Sequence, residues 1–572
     1  MKILRLLATA IALATAFLAA SCSKTSASAP EAFTAQLENI DGVRMLYSLQ
    51  HPKLIAQCLD KLIAEVPEAS YGRILLENYG KQFGYPEFTE IAAGSNIGIL
   101  QLMLPIKEYK QRPSMPIFFI KLKENGKIWN ALVNQFGMSV RKHGEWAMFA
   151  QSATAIDSVP DPDAIIARLS APQAENLRVF VSFYGEAAAA YKDFNNDMIS
   201  TLIGRSTLPD AEKIAFAAYA RILFGEIFDS LHSGYASLNL GDTGVSLVYG
   251  AQFKPDTPIG TFLRYRSDAT PDIGLGRYLA NDAILTTSYR YTPKAAKDLA
   301  DHLINRIIKV DYPPFSEPLA KFHKDGAIYW EQDGGCGAMT NNMKIDMTNL
   351  QAPQTTSDTF SAHSGKFDQQ SRQYIQSTIE LVQKLATHML TIVSQASAKK
   401  VPQISITSAT DALTLEGISF DAMTMNITAA TKDITIPPQT TYFGIANGNL
   451  VTSSNEATLK KRLPALLAKK VQPDNVAAAN PLQPYDLVSM STNGSALADM
   501  VFDTAKIDMT DTDAQATLAS IKELYKQSGP IRGTVEARQA ALTFKADIPY
   551  KFISASVKLG RYVYSVKNTA GQ

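Results

Sequence analysis

The chain is poor in the residues that reactive and metal-binding sites draw on. Its 572 residues include only three cysteines, three tryptophans and seven histidines. The histidines are His51, His143, His232, His302, His323, His363 and His388, and none falls at metal-ligand spacing from another. There is no Gly-x-Ser-x-Gly elbow, no His-Glu-x-x-His and no phosphate-binding loop. The sequence therefore assigns no catalytic residue, no metal ligand and no cofactor. An excess of one charge is missing too. The net charge is +1, which makes no electrostatic case for nucleic acid or for an anionic membrane surface. Charged residues make up 19% and hydrophobic ones 46%, the balance of a globular chain. At this length one ordinary core is too small, and two or more domains are expected.

One uncharged apolar run is long enough to notice, and it lies at the front. Lys2 and Arg5 precede Leu6–Ala20, which is too short for a comfortable membrane span and reads as the h-region of a signal peptide. The run ends Leu18-Ala19-Ala20-Ser21-Cys22. This ending resembles the lipobox of bacterial lipoproteins, with Ala19 where that motif more often has leucine. The resemblance implies that residues 1–21 are removed. It also implies that Cys22 carries a thioether-linked diacylglycerol and an amide-linked acyl chain of the palmitate type. Each buried methylene contributes about 0.8 kcal/mol, so two or three chains hold a protein on a bilayer. Residues 22–38, rich in Ser, Ala, Thr and Pro, read as a lipidated tether. By the same resemblance, Ser23 after the cysteine implies the outer membrane of a bacterial cell envelope.

Two cysteines remain. Cys58 lies with Leu54, Ile55 and Leu62 on the apolar side of a helix, and Cys336 sits in Gly334-Gly335-Cys336-Gly337. An exported location permits a disulfide between them; a small buried hydrophobe is the other reading of Cys58. The Gly-Gly-Cys-Gly stretch reads as a glycine loop, without the basic cluster that would activate its thiol.

The rest of the chain is organised around two similar stretches. Met45–Lys53 and Thr286–Lys294 each read as a strand, a turn and a helix opened by proline. Pro293 follows Pro52 by 293 − 52 = 241 positions, and at that offset Lys53 meets Lys294 and Asp60 meets Asp301. Two further echoes follow in the same order. Gly144-Glu145-Trp146 matches Gly448-Asn449-Leu450 at offset 304, and Val179 with Gly185 matches Val488 with Gly494 at offset 309. The expectation is an α+β protein of two related halves, each a mainly antiparallel sheet packed with helices, over residues 39–270 and 271–572. The growth in offset from 241 to 304 puts 63 additional residues in the second half, expected near 332–403 as a helical insertion. That segment reads as a polar loop, Gln351–Lys366, whose deletion the fold should tolerate, and a helix, Phe367–Ser394, striped by Ile375, Ile379, Val382, Leu385, Met389 and Ile392. The strand-proline-helix motifs and the Glu456-Ala457-Thr458-Leu459 turn resemble uncharacterised exported bacterial proteins with duplicated α+β halves, and that resemblance implies no particular activity.

Strands are also expected at 116–122, 144–151, 178–183, 235–240, 244–253, 418–428, 441–453 and 552–557, and a 22-residue helix at 210–231. Trp129, Trp146 and Trp330 could line a sugar-binding surface, although Trp129 and Trp146 flank apolar positions suited to a core. His51 and the matched Asp60 and Asp301 read as a turn residue and solvated helix positions. The functional expectation is an envelope lipoprotein that binds a partner protein, a lipid or a glycan. Its alternatives are a carrier for an apolar ligand and a hydrolase whose site is assembled from distant segments.

Overall fold

The computed structural model describes residues 43–569, apart from 104–113, 265–274, 347–353, 397–402, 429–437, 471–481, 506–511 and shorter gaps, most of them within 68–86. The expected signal peptide, Cys22 and the tether lie outside the described residues.

The first part of the chain forms strands β1 (Val43–Leu49), β2 (Ile97–Met103), β3 (Ser114–Ile120), β4 (Ser139–His143), β5 (Trp146–Ala150), β6 (Leu177–Ser182), β7 (Leu231–Leu240) and β8 (Gly244–Phe253). Its helices are α1 (Pro52–Glu65), α2 (Lys127–Asn130), α3 (Ala153–Asp157), α4 (Pro162–Ser170), α5 (Gly185–Gly204), α6 (Asp210–Ser230) and α7 (Pro258–Arg264). The later part forms β9 (Leu285–Arg290), β10 (Asp333–Asp346), β11 (Gln354–Gly365), β12 (Gln403–Leu415), β13 (Ile418–Thr428), β14 (Gln439–Ala446), β15 (Asn449–Ser453), β16 (Asp486–Thr492), β17 (Ile531–Arg538) and β18 (Ala541–Pro549). Its helices are α8 (Pro293–Ile307), α9 (Pro313–Asp325), α10 (Ala327–Gln332), α11 (Gln369–Ala396), α12 (Glu456–Leu467), α13 (Gly494–Ala505), α14 (Thr512–Gln527) and α15 (Tyr550–Thr569).

The strands build one sheet of 18, and every described pairing is antiparallel. Its centre is the pair β8·β18. Outward from β8 run β7, β6, β1, β2, β3, β5 and β4. Outward from β18 run β17, β16, β9, β10, β11, β15, β14, β13 and β12. Helices and an antiparallel sheet lie in separate blocks along the chain, so the α+β expectation is met.

Alternation sets the faces. In β1, Leu46 and Ser48 are buried while Met45, Tyr47 and Leu49 are half-buried. Leu46 joins Leu100, Ile117, Phe119, Trp146, Met148 and Phe180 in a core that also takes Ile165 and Leu169 from α4. A second core on the far side of the centre packs Phe360, Ala362, Phe420 and Val451 against Leu459 and Leu463 of α12. Full burial of one such aliphatic or aromatic side chain stabilises by about 1.5–3 kcal/mol. The two proline-opened helices are present. His51 caps α1, its Nδ1 accepting from Lys53 N at 3.2 Å. Thr292, before α8, makes no such bond.

Several expectations change in three dimensions. Residues 552–557 belong to helix α15, not a strand: Phe552, Ala555 and Leu559 fall three and four apart and share one core. The Gln351–Lys366 loop is replaced, through its described part, by strand β11, which pairs with β10 on one side and β15 on the other. Phe360 and Ala362 in β11 are fully buried, so deleting the segment would open the sheet. Gly334–Gly337 likewise lies in strand β10 and is not a loop. Helix α2 widens into a π-helical turn at Ala131–Gln135, and Phe136 just beyond it is 56% exposed. The span 332–403 holds two inner strands and α11, and the hairpin β12–β13 extends the sheet beyond it.

Candidate functional site: an edge cleft and a buried tyrosine–histidine–aspartate cluster

A cleft of about 440 Å³ opens near the first edge of the sheet. That volume falls in the range that takes small ligands. Its wall is set by a short loop, in which Ile91 bridges Leu122, Ala92 N donates to Lys121 O at 2.9 Å and Lys123 N donates to Glu90 O at 2.8 Å. Glu90 then reaches α2 and accepts from Ile128 N at 2.8 Å. A Cβ on Gly126 would stand 2.7 Å from the Glu90 carboxylate, so the glycine leaves room for this contact. Burial pushes the Glu90 carboxyl up, but the Ile128 and Lys127 N–H groups and two lysines outweigh it, and the net shift is downward. The hairpin β4–β5 turns at Gly144, whose φ of +61° suits glycine. It brings Lys142, Glu145 and Trp146 to the rim.

Trp129 and Trp146 both line this cleft, and both are also core: they are 8% and 3% exposed. Lys121 Nζ stands 5.5 Å from the centre of the Trp146 ring, and Lys142 Nζ stands 6.0 Å from that of Trp129. Lys121 also meets Glu145 at 2.9 Å, which holds that carboxyl below its ordinary range, and Lys142 pairs with Glu124. With Lys123, three lysines face two carboxylates in the lining. Trp330 is elsewhere, edge-on to Tyr329 in α10.

The second arrangement was not foreseen. Tyr289 lies in β9, Tyr291 follows its last residue, and Asp333 starts β10. The Asp333 side chain is fully buried and accepts three hydrogen bonds or ion-pair contacts: Gly335 N at 2.7 Å, Tyr291 OH at 2.8 Å and His363 Nε2 at 2.6 Å. The other ring nitrogen of His363, Nδ1, lies 3.1 Å from Tyr289 OH. Rings of Tyr289, Tyr291 and Tyr329 stack on the imidazole. Burial pushes the phenols of Tyr289, to about 12, and of Tyr291 and Tyr329 upward, with Asp333 adding to each. They remain hydrogen-bond donors at physiological pH. The glycines explain how this packs. A Cβ on Gly337 would strike the Tyr289 ring, and one on Gly335 would strike the Tyr291 carbonyl oxygen. The sequence signal was the match of Tyr-x-Tyr in one strand with Gly-x-Gly in its neighbour. A histidine held between a carboxylate and a phenol is a relay geometry, but here it is sealed by Phe367 and Tyr329 and is satisfied on both nitrogens. It serves the fold.

The other sequence candidates are dispersed. No disulfide joins Cys58 and Cys336, which are both thiols. Cys58 Sγ lies 3.5 Å from Asn176 Nδ2 and Cys336 Sγ 2.8 Å from Ser364 Oγ. Asp60 is exposed, and Asp301 pairs with Lys297 at 2.6 Å. Among the described residues no cluster could hold a metal ion, and no helix is long and apolar enough to cross a membrane. The chain matches no known family, no curated protein and no solved structure.

Proposed function

We propose that this protein is a lipid-anchored envelope protein that acts by binding, and that its ligand in the edge cleft is a glycan carrying acidic groups. The observation that carries this reading is the cleft lining itself. Two indole edges and three lysines, of which Lys121 and Lys142 are held by Glu145 and Glu124, give ring contact and charged hydrogen-bond donors, and Lys123 is the lysine positioned to meet an acidic group on a sugar. Isothermal titration with trigalacturonate should show binding that weakens at least tenfold in Lys123→Ala. Equal heats from a neutral chito-oligosaccharide, or no loss in Lys123→Ala, would remove the acidic-glycan reading. Turnover of glycoside, ester or peptide substrates, abolished by one point substitution in a folded protein, would remove the binding reading altogether.

The anchor rests on the Leu18–Cys22 motif. Cys22→Ala should move the protein from the detergent-rich to the aqueous phase on phase separation. Unchanged partition would end the lipoprotein reading.

The two-halves reading, with boundaries near residue 270, is supported by connectivity. The run β4, β5, β3, β2, β1, β6, β7, β8 has the same order as β14, β15, β11, β10, β9, β16, β17, β18. Tyr47 opposite Val179 and Tyr289 opposite Val488 occupy equivalent rungs. On this reading the additional residues of the second half are the longer α11 and the edge hairpin β12–β13, and the halves join through their last strands.

A further inference from the structure

Residues opposite each other in an antiparallel ladder point to the same face. One rung can be followed across the centre of the sheet: Asn239, Ser246, Asp547, Arg532, Ser491 and Thr286. All six are polar, in a sheet whose flanks on either side are packed with apolar cores. Asp547 and Ser491 are each more than nine-tenths buried. Neither carboxylate oxygen of Asp547, nor the Ser491 hydroxyl, meets a partner in good hydrogen-bond geometry, although the Ser246 hydroxyl is near enough to act on the Asp547 carboxyl. A buried polar group without a partner is costly and uncommon, and it calls for an explanation. Arg532 stands opposite Asp547 on the next strand, and no ion pair is formed between them. The neighbouring Lys545 is already paired with Glu536 at 2.6 Å.

We propose that this rung is a binding site for a small zwitterion of the phosphoethanolamine kind, whose ammonium group bonds the Asp547 carboxylate and the Ser246 hydroxyl while its anionic group meets Arg532 and the Ser491 hydroxyl beyond it. The carboxylate selects the ammonium, because an ammonium has three donors to offer and no acceptor. Arg532 next to it disfavours a second cation and favours an anion on the same ligand. The location gives the site its meaning. Ser246 belongs to β8 and Asp547 to β18, so the ligand sits across the central seam of the sheet and would tie its two sides together. This site is separate from the edge cleft and does not rest on it.

The apo protein carries the cost of the waiting carboxylate. Burial holds the Asp547 carboxyl up at about 6, against 3.8 for a free aspartate, and the nearby Ser246 hydroxyl offsets part of that rise. The folded state therefore binds this proton more tightly than the unfolded chain does. The resulting stability is present below pH 3.8 and is lost as pH rises through about 6. An ammonium bound to the carboxylate restores it at neutral pH.

The test uses the folded full chain and its Asp547→Asn and Ser491→Ala variants. Isothermal titration with O-phosphoethanolamine, and flotation with phosphatidylethanolamine vesicles against phosphatidylglycerol vesicles, form two arms. Binding of the free compound assigns a soluble zwitterion, and binding of the vesicles alone assigns a lipid headgroup. In either case Asp547→Asn should weaken binding at least tenfold and Ser491→Ala severalfold. Thermal melts guard against misfolding. Asp547→Asn should melt above the parent at pH 7.5 and with it at pH 4, and O-phosphoethanolamine should raise the parent's melting temperature but not the variant's. No binding in either arm, or equal binding by a folded Asp547→Asn protein, overturns the proposal.

Discussion

Replacing Asp333 by alanine should destabilise the second part of the protein by about 3–5 kcal/mol, the usual range when one partner of a buried charge-assisted network is removed. The side chain is completely buried, and it accepts from Gly335 N, Tyr291 OH and His363 Nε2. Without it those three donors face an interior lined by Tyr329 and Phe367. Each orphaned donor costs about 1–3 kcal/mol, with partial relaxation reducing the sum. Urea unfolding followed by tyrosine circular dichroism gives the total. Hydrogen exchange should show faster opening in β9, β10 and β11 and no change in β1 to β3. A loss below about 1 kcal/mol would mean that the cluster is not the lock described above.

Gly335→Ala should cost about 2–4 kcal/mol, and Gly417→Ala about 1 kcal/mol. Both glycines have positive φ, +68° and +74°, so each substitution incurs left-handed strain of about 1–2 kcal/mol. They differ in surroundings. A Cβ at Gly417 meets nothing, whereas at Gly335 it overlaps the Tyr291 carbonyl and stands 2.8 Å from Pro293 Cδ. Tyr291 N also donates to Gly335 O at 2.7 Å, so β9 and β10 cannot separate to make room without losing that bond. Denaturant midpoints for the pair measure the difference. Equal losses at the two sites would show that the strands yield more easily than the packing implies.

The elements of this fold differ in how local their causes are. Helices α6 and α11 were legible because an apolar stripe recurring every three or four residues is a property of adjacent sequence, and the proline at the head of α1 and α8 fixes its own φ. Hairpin β7–β8 was legible for the same reason, through the Gly241–Gly244 turn. Strand β11 was not. Its Ser, Thr and His composition reads as a loop, and it becomes a strand because β10 and β15 supply ladders on both sides. Helix α15 was misread because six residues of alternating apolar character fit either period; packing of Phe552, Ala555 and Leu559 into one core decides for the helix.

The sites follow the same division. Sequence alone determined the expectation of a lipid anchor, since the h-region, small residues and Cys22 are contiguous, and it determined the similarity between the Pro52 and Pro293 motifs. It held Trp129 and Trp146 as sugar-surface or core residues. Only tertiary structure decided that they are core residues whose edges reach a cleft, because the Glu90–Lys123 loop that forms the wall comes from a different segment. Only tertiary structure brought His363 to Asp333 across 30 residues and set Asp547 between Ser246 and Arg532, with Ser491 on the far side of Arg532. Register does this work: shifting any one of those strands by a single residue would turn its side chain to the opposite face, and register is fixed by the packing of the whole sheet together with the turns of its hairpins.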